Sequence, residues 1–381
     1  MNAKERFLKA FKHEKPDRIP VFEQAFYSDV ASKILNREVF TGGTSLHYEE
    51  TKAWMKGESA HTEFVDKMRE DVLELYKVLE FDAMHVPWRL TEKPAKKIDE
   101  HTFFYGDEKE NWVIRRYDPA SKTFGDVDSS ERAQALEDLE KYVDWLEKEW
   151  SDEITSGDFT PQLEDLKYFI SKTGKTMGAV GGSGIVIPPT QVWLEAVLLN
   201  PELVGRYLDC QVKADKKRIK IQKEMGVDAF WAGGDMADKN GPLYSPKVFH
   251  NLLFPRLKEI CDYCHSLGVF YLFRSDGNLW PVADDLFGKS GVDAYGEIDY
   301  SAGMRMKELR QKFPKLTMWG NVSCGDILFS GTKQQVIDVT KECIEATNGI
   351  GLIIGSSNSI LPGTPVKNVL AMYETAKSYK L

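Results

Sequence analysis

The chain has 381 residues, enough for one large domain or two ordinary ones, and its 42% hydrophobic and 29% charged residues are typical of a globular protein. Its formal net charge of −9 argues against nucleic acids or anionic membrane surfaces as main partners. No apolar run is long enough to cross a bilayer. The opening MNAKERFLKAFKHEKPDRIP predicts a short amphipathic helix and not a signal peptide, so we expect a cytoplasmic protein.

Short runs rich in β-branched and aromatic residues recur along the chain and predict eight strands. Amphipathic helical patterns separate them, among them a long one at 201–227 and one at 332–348 that ends before the predicted cap residue Gly349. The predicted strands lie at residues 19–23, 81–87, 176–184, 228–235, 269–276, 293–299, 316–322 and 351–357.

Alternating strands and helices predict a parallel sheet with right-handed crossovers. Eight such units, with most strands apolar on both faces, favour a closed (β/α)8 barrel of the TIM type. An open doubly wound sheet is the alternative, but it would normally carry a Gly-rich turn after the first strand, where this chain has FEQAFYSDV.

One region interrupts the alternation. Residues 88–175 separate the second and third predicted strands and contain a predicted β-hairpin within 101–127, followed by an acidic helical stretch. We interpret this region as an excursion from a single barrel domain over residues 1–381, with a flap or lid as one role; a separate domain is the alternative, although the stretch is short of core residues.

The active site of a (β/α)8 barrel lies at the C-terminal ends of its strands. The predicted strand ends carry a mixture of carboxylates, other polar groups and aromatic rings. We predict catalytic roles for Asp276, Arg274, Asp235, Glu23 and His85. We predict substrate-binding roles for Phe22, Tyr27, Trp88, Trp231, Glu297, Asn321 and Asn358.

Each of these residues also has a purely structural interpretation. Arg274 and Asp276 could form a salt bridge, Asp235 could cap a turn, and His85 could equally be a hydrogen-bonded structural histidine. Most of the Trp and Phe side chains belong to the core by default.

A zinc site needs three or four His, Cys or carboxylate ligands. No His or Cys stands at the ends of the fifth and eighth predicted strands, and Cys324 is isolated, so we predict no zinc. A hard cation held by Asp235, Asp276 or Glu297 is left open.

Several stretches of the chain resemble the uroporphyrinogen decarboxylase superfamily. They are KERFLKAFKHEKPDRIPVF at 4–22, DMADKNGPLYSPKVFHNLLFPRLKEI at 235–260, the SDGN turn at 275–278, and the tail that starts with GNVSCGDILFSGTKQQ at 320. The resemblance covers the predicted barrel except for residues 88–175. It implies a (β/α)8 barrel and one of two activities, porphyrinogen decarboxylation or methyl transfer to or from a corrinoid carried by a separate small protein.

The chain departs from both well-defined branches of that superfamily. It has no Arg between Arg18 and Arg37, where true decarboxylases carry an Arg-rich segment, and Trp88 stands where they carry a key Asp. The zinc-dependent methyltransferases use His-x-Cys and a later Cys, which correspond here to Arg274, Asp276 and Asn358. The resemblance therefore favours the corrinoid-linked branch that demethylates methoxylated compounds without a zinc-bound thiolate.

We therefore expect a methyltransferase that moves a methyl group from a methoxylated, guaiacol-like small molecule to a corrinoid (cobalamin) protein. Asp276, Asp235, Glu23 and His85 are the candidate acids for the departing oxygen, and Arg274 would stabilise its charge. One alternative is a decarboxylase or lyase of a smaller acid, with Arg274 as the carboxylate anchor. Another is a non-catalytic binding protein. The oligomeric state is open, with a homodimer as one option.

Overall fold

A computed structural model describes residues 1–90, 92–130, 136–149, 160–234 and 236–381. Its strands, in chain order, are β1 (Ala83–Met84), β2 (Pro94–Lys97), β3 (Thr102–Gly106), β4 (Trp112–Asp118), β5 (Thr123–Ser129), β6 (Gly178–Gly182), β7 (Ala229–Gly233), β8 (Ala237–Asp238), β9 (Gly241–Pro242), β10 (Phe270–Arg274), β11 (Ala294–Gly296), β12 (Thr317–Trp319) and β13 (Leu352–Ile353).

The described part of the chain also contains α-helices. They are α1 (Ala3–Phe11), α2 (Ser28–Leu35), α3 (Thr44–Lys56), α4 (Glu58–Leu79), α5 (Leu136–Glu149), α6 (Thr160–Thr173), α7 (Gln191–Leu199), α8 (Pro201–Met225), α9 (Pro246–Val248), α10 (Phe254–Ser266), α11 (Met306–Lys312), α12 (Lys333–Thr347) and α13 (Val366–Ser378). Short turns of π- or 3₁₀-helix lie at Phe249–Leu253, Trp280–Val282, Asp284–Lys289 and Cys324–Phe329.

Seven strands form one curled parallel sheet in the order β1-β6-β7-β10-β11-β12-β13. Residues 19–23 lie between its two ends. Val21 forms a parallel bridge with Ile354, and its carbonyl oxygen accepts a hydrogen bond from the Asp82 amide at 2.8 Å. Each predicted barrel strand therefore has a counterpart in the structure, and the arrangement is compatible with a TIM-type barrel.

The inside of the curled sheet is filled by apolar side chains. Phe22, Trp231, Leu272 and Trp319 belong to one buried cluster, together with rings from α1. Helix α1 begins after Asn2, whose side chain accepts from the Glu5 amide at 2.8 Å, as expected for a capping box. Its amphipathic pattern thus buries one apolar face against the sheet interior.

A charged network lies where residues 19–23 meet β1. The Asp82 carboxylate is fully buried and accepts hydrogen bonds from Arg6 Nη1 at 2.6 Å, Arg18 Nη1 at 2.8 Å and the Val21 amide at 2.8 Å. Because it joins α1, the 19–23 segment and β1 at their N-terminal side, this network serves the fold and not the predicted site.

Residues 94–129 form a four-stranded antiparallel sheet in the order β2-β3-β4-β5. Tyr48 of α3 packs with Phe103, Tyr105 and Phe124 in a separate small core beneath it. The structure has more strands here than the single predicted hairpin. Strand β2 escaped prediction because its sequence, PAKK, starts with proline and leaves its lysines exposed.

The predicted acidic helical stretch is described in part, by α5, while residues 131–135 and 150–159 lie outside the described residues. None of the described helices combines the length and apolar character needed to span a bilayer.

Candidate active site

The polar side chains predicted for the site lie where the parallel strands of the main sheet end. Arg274 closes β10, Glu297 follows β11, and Asn358 lies beyond β13. Asp235, one of the predicted catalytic residues, lies outside the described residues.

Arg274 lies against two neighbouring tryptophan rings. Its guanidinium carbon is 4.5 Å from the ring centre of Trp231 and 5.5 Å from that of Trp88, a geometry suited to cation–π attraction. Its Nη2 donates to Glu297 Oε1 at 2.6 Å, while its buried Nε has no hydrogen-bond partner. The guanidinium is thus fixed in place.

The backbone around Arg274 makes room for that arrangement. Gly233 and Gly296 stand beside Arg274 on the neighbouring strands. A Cβ on Gly233, which has φ of +148°, would lie 1.7 Å from the Arg274 carbonyl oxygen. Glu297 adopts φ of +61°, a left-handed conformation that non-glycine residues rarely take outside turns and functional sites.

Asp276 belongs to a chain of hydrogen bonds across the site. Asn358 Nδ2 donates to Asp276 Oδ2 at 3.1 Å, and Gln24 Nε2 donates to Asn358 Oδ1 at 2.9 Å. The following Gly277 has φ of +86°, and its amide donates to Asp299 Oδ2 at 3.2 Å. The turn after β10 is therefore held from two sides, and Asp276 stays partly exposed at the site.

Glu23 is a buried carboxyl group surrounded by donors. Its oxygens accept from Ser356 Oγ at 2.7 Å, the Ser356 amide at 3.0 Å and Tyr373 Oη at 2.8 Å. Burial nevertheless raises the pKa of Glu23 to about 7, because removing the charged form from water outweighs these hydrogen bonds. Glu23 can therefore hold or release a proton near neutral pH.

His85 is buried among aromatic rings. Its ring centre is 4.5 Å from that of Trp231, and its Nε2 contacts the carbonyl oxygen of Gln24. Because a carbonyl oxygen can only accept, Nε2 carries the ring proton. Burial, with the charge of Arg274, lowers the pKa of His85 to about 3, so the imidazole is neutral at physiological pH and is a poor proton donor to substrate.

A cavity of about 110 Å³ opens beside this network, between the ends of the first two barrel strands and α3 and α4. Four of the predicted residues line it, namely Glu23, Tyr27, His85 and Trp88. Phe26, Tyr76 and Phe81 make its wall largely aromatic, and none of the described residues that line it is a Lys or Arg. The cavity is thus suited to a small ring compound more than to a polyanion.

Two predicted substrate-binding residues lie elsewhere. Phe22 is fully buried and stacks on Trp319 with ring centres 4.9 Å apart, so its side chain is part of the sheet interior. Asn321 is 6% exposed, and its buried Oδ1 has no hydrogen-bond partner.

Sequence reasoning missed Gln24 and Tyr373, which hold the site residues in place. Gln24 directly follows Glu23 at the end of a predicted strand, whereas Tyr373 lies in helix α13 and gave no signal. Ser356, which binds Glu23, lies at the end of the eighth predicted strand. Cys324, which the sequence places near the site, has a pKa raised by burial, with the carboxylates of Asp276 and Glu23 acting in the same direction. Among the residues described, no three His, Cys, Asp or Glu side chains converge to hold a metal ion.

A buried network of charged side chains fixes the chain just after the second predicted strand, residues 81–87. Arg89, next to Trp88, donates to Glu50 Oε1 at 2.9 Å and to Asp165 Oδ2 at 2.9 Å. His47 Nε2 is 2.9 Å from the Trp88 carbonyl oxygen. Trp88, although 51% exposed, is therefore attached to a rigid backbone at the rim of the site.

About half of the chain is similar in sequence to known proteins. The family model described as Uroporphyrinogen decarboxylase (URO-D) matches residues 186–379. A uroporphyrinogen decarboxylase of Wolbachia sp. subsp. Brugia malayi is 23% identical over 184 residues, which are 47% of this chain and 49% of that protein. One from Prochlorococcus marinus is 26% identical over 185 residues, again 47% and 49% of the two chains. The chain thus spans about half the length of the curated relatives it matches.

Among solved structures, a methyltransferase from Methanosarcina mazei has the same fold, with a TM-score of 0.69 and 19% identity over 99% of this chain and 98% of the other. The superfamily resemblance expected from the sequence is confirmed by these matches. Because the URO-D family model covers just over half of the 381 residues, this protein belongs to the uroporphyrinogen decarboxylase family.

Proposed function

We propose that the chain transfers a methyl group from a small methoxylated ring compound of the guaiacol type to a corrinoid held by a separate small protein. In this proposal the substrate lies at the mouth of a closed (β/α)8 barrel. Residues 19–23, the first predicted strand, add to the seven strands of the main sheet and close the barrel. The fold likeness to a methyltransferase makes the activity compatible with the scaffold, while the side chains of the site carry the argument.

The observation that carries the proposal is that an acid, Asp276, and a fixed cation, Arg274, both lie at the end of strand β10. Asp276 is partly exposed and oriented by Asn358. Arg274 is fixed by Glu297 and two indole rings. These are the groups that a basic leaving oxygen requires, since one can give it a proton and the other can stabilise its developing charge.

A methyl ether reacts poorly because its leaving phenoxide is basic. In the proposed step the bond between the methyl carbon and the ether oxygen breaks, the electron pair stays on oxygen, and the proton of Asp276 moves to that oxygen. The corrinoid supplies the nucleophile that takes the methyl group. The product is the free phenol, and the carboxylate of Asp276 must then be reprotonated from solvent.

The surroundings of the site favour this class of substrate. The described lining of the cavity is largely aromatic and contains no Lys or Arg, so Arg274 would be the one described cation to compensate a ligand with many carboxylates. Trp88 is 51% exposed at the rim, which leaves the mouth accessible to a ligand carried by another protein.

The experiment is a reconstituted methyl transfer. The purified chain is mixed with guaiacol and free cob(I)alamin, the corrinoid spectrum is followed, and catechol is quantified. Enzyme-dependent catechol formation that matches corrinoid methylation is the expected result. The proposal would be contradicted if neither the demethylated product nor methylated corrinoid formed. That result would have to hold with a panel of methoxylated rings and with corrinoid proteins from the source organism.

One observation favours a second candidate, a decarboxylase or lyase acting on a smaller acid. The Arg274 side chain, 17% exposed at the end of β10, could anchor a single carboxylate as well as a phenolic oxygen. Release of carbon dioxide from a monocarboxylic acid without any corrinoid would select this function.

A further inference from the structure

Ser356 lies between the buried carboxyl group of Glu23 and the turn that carries Asn358. We infer that Ser356 is a positioning residue: its hydroxyl holds the Asn358 backbone carbonyl while Glu23 is protonated and releases it when Glu23 ionises. Because Asn358 binds Asp276 through its side chain, the charge of Glu23 thereby acts on the placement of Asp276. The inference goes beyond methyl transfer, since it holds for whichever reaction Asp276 takes part in.

The first observation is that the Ser356 hydroxyl has two acceptors but only one proton. Its Oγ is 2.7 Å from Glu23 Oε1 and 2.8 Å from the carbonyl oxygen of Asn358. A hydroxyl group donates once, and a backbone carbonyl can only accept. Both contacts are hydrogen bonds at the same time only if Glu23 carries a proton and donates it to Ser356 Oγ.

The other contacts of Glu23 place that proton on the oxygen that faces Ser356. Glu23 Oε2 accepts from the Ser356 amide at 3.0 Å and from Tyr373 Oη at 2.8 Å. The amide can only donate, and no other hydrogen-bond acceptor for the Tyr373 hydroxyl lies among the residues that the structure describes. Oε2 therefore has two donors already, so the proton of a neutral Glu23 lies on Oε1, beside Ser356 Oγ.

Ionisation of Glu23 changes the direction in which the Ser356 hydroxyl donates. Without a proton on Oε1, two oxygen lone pairs would face each other across 2.7 Å, so the Ser356 proton turns to the carboxylate, where it makes the stronger, charge-assisted bond. The Asn358 carbonyl then loses the donor that Ser356 gave it. Since burial raises the pKa of Glu23 to about 7, the bond to Asn358 is present at lower pH and is lost as pH rises through that value.

The ionisable groups packed around Glu23 come from four parts of the fold. Tyr373 of α13 donates to it, Tyr76 of α4 and Cys324 after β12 lie within reach of its charge, and His85 lines the same cavity. Burial raises the pKa of both phenols and of the thiol and lowers that of His85 to about 3. These four neighbours therefore stay uncharged near neutral pH, where Glu23 titrates.

Two charged groups of the site act on these neighbours. The carboxylate of Asp276, like that of Glu23, raises the pKa of the Cys324 thiol, and the charge of Arg274 lowers the pKa of His85. Arg274 keeps its charge throughout the pH range in which proteins fold, whereas Asp276 can titrate. A test of the inference must therefore separate Glu23 from Asp276.

The sequence offers a direct probe of the Asn358 carbonyl. Asn358–Ser359 is the only place in the chain where a serine follows an asparagine. A chain labelled with carbon-13 at asparagine carbonyls and nitrogen-15 at serine amides therefore gives one carbonyl–amide correlation in NMR, and this signal belongs to Asn358. Because a carbonyl carbon resonance responds to the hydrogen bond that its oxygen accepts, we expect the signal to shift with pH, with a midpoint near 7.

Three variants assign that shift. In Glu23→Gln, the two donors at Oε2 hold the amide oxygen, so the amino group faces Ser356 Oγ as the protonated acid does, and the signal should stay at its low-pH position. Ser356→Ala removes the hydroxyl, so the signal should stay near its high-pH position. Ser357→Ala is the matched control one residue later, where Oγ accepts from the Cys324 amide at 3.2 Å, and should shift like the unmodified chain.

Asp276→Asn separates the two carboxyl groups and should keep the shift near the same pH. The inference would be overturned by a pH-independent signal in the unmodified chain, or by a full shift in Ser356→Ala that a thermal melt shows to be folded. A Glu23→Gln signal at the high-pH position would also overturn it, and this result decides the matter if Ser356→Ala does not fold. A shift that disappears in Asp276→Asn but persists in Glu23→Gln would assign the titration to Asp276 and refute the role of Ser356. None of these outcomes depends on methyl transfer, which the guaiacol assay tests separately.

Discussion

Replacing Asp276 with asparagine is expected to slow methyl transfer far more than it destabilises the fold. The side chain is partly exposed and accepts a hydrogen bond from Asn358 at 3.1 Å, and an asparagine oxygen can accept the same bond. The free energy of unfolding should therefore fall by no more than about 1 kcal/mol. Loss of a general acid typically costs about 10²–10⁴ in rate, which raises the barrier by about 3–5 kcal/mol.

The assay measures kcat and KM for guaiacol demethylation, with corrinoid methylation as the spectroscopic signal, beside a thermal melt of each variant. We expect the effect in kcat, since the acid acts in the transition state. Asp326→Asn, the same change at an exposed position after β12, serves as the control and should leave the rate unchanged. A near-normal rate in Asp276→Asn would remove Asp276 as the proton donor and transfer that role to Glu23. A strongly lowered melting temperature would instead mark Asp276 as a structural group.

Four further predictions concern charge, pH, metal and ligand class. Arg274→Met leaves the Glu297 carboxylate, 4% exposed, without its cation, so urea unfolding should show a loss of about 3–5 kcal/mol; adding Glu297→Gln should recover part of it, and no recovery would contradict the pairing. Since the pKa of Glu23 rises from 4.5 to about 7 on folding, the folded state binds more protons in this range and stability should fall as pH rises from about 4.5 to 7. The Glu23→Gln variant should lack this fall in stability. If the variant and the unmodified chain gave superimposable profiles of stability against pH, Glu23 would not be the group responsible. The chain should contain no stoichiometric zinc; elemental analysis that finds one zinc per chain, lost together with activity on chelation, would prove this wrong. In calorimetry, guaiacol-like compounds should bind more tightly than a polycarboxylate, and the reverse order would end the idea of an aromatic substrate.

The strands of the main sheet could be predicted because each is a short apolar run bounded by glycine or polar residues. Their order along the chain then indicated which side chains meet at one end. Strand β2 could not be predicted, because PAKK has no apolar pattern and becomes a strand only through its pairing with β3. The presence of a strand could thus be predicted from local composition. The extent of the sheet in the insertion could not, because it depends on pairing between strands.

The partners within the site were less predictable. Arg274 and Asp276 are neighbours in sequence and a salt bridge between them was a reasonable expectation, yet Arg274 pairs with Glu297 at 2.6 Å. The parallel register places Arg274 beside Gly296, the last residue of β11. The following residue, Glu297, is therefore close enough to reach the guanidinium. Gln24 meets Asn358 from 334 positions away, and no local pattern signals such a contact.

The segment at residues 19–24 joins parts of the chain that leave the ribosome far apart in time. Val21 bonds the Asp82 side chain 61 residues later, and Glu23 is held by Ser356 333 residues later. Contacts of such long sequence separation form late, because the entropy of the intervening loop opposes them. Until Ser356 and Tyr373 are synthesised, Glu23 lacks the donors that hold it. A nascent or C-terminally clipped chain would therefore expose an unpaired sheet edge without an assembled site, and its expected fate is chaperone capture or proteolysis and not partial activity.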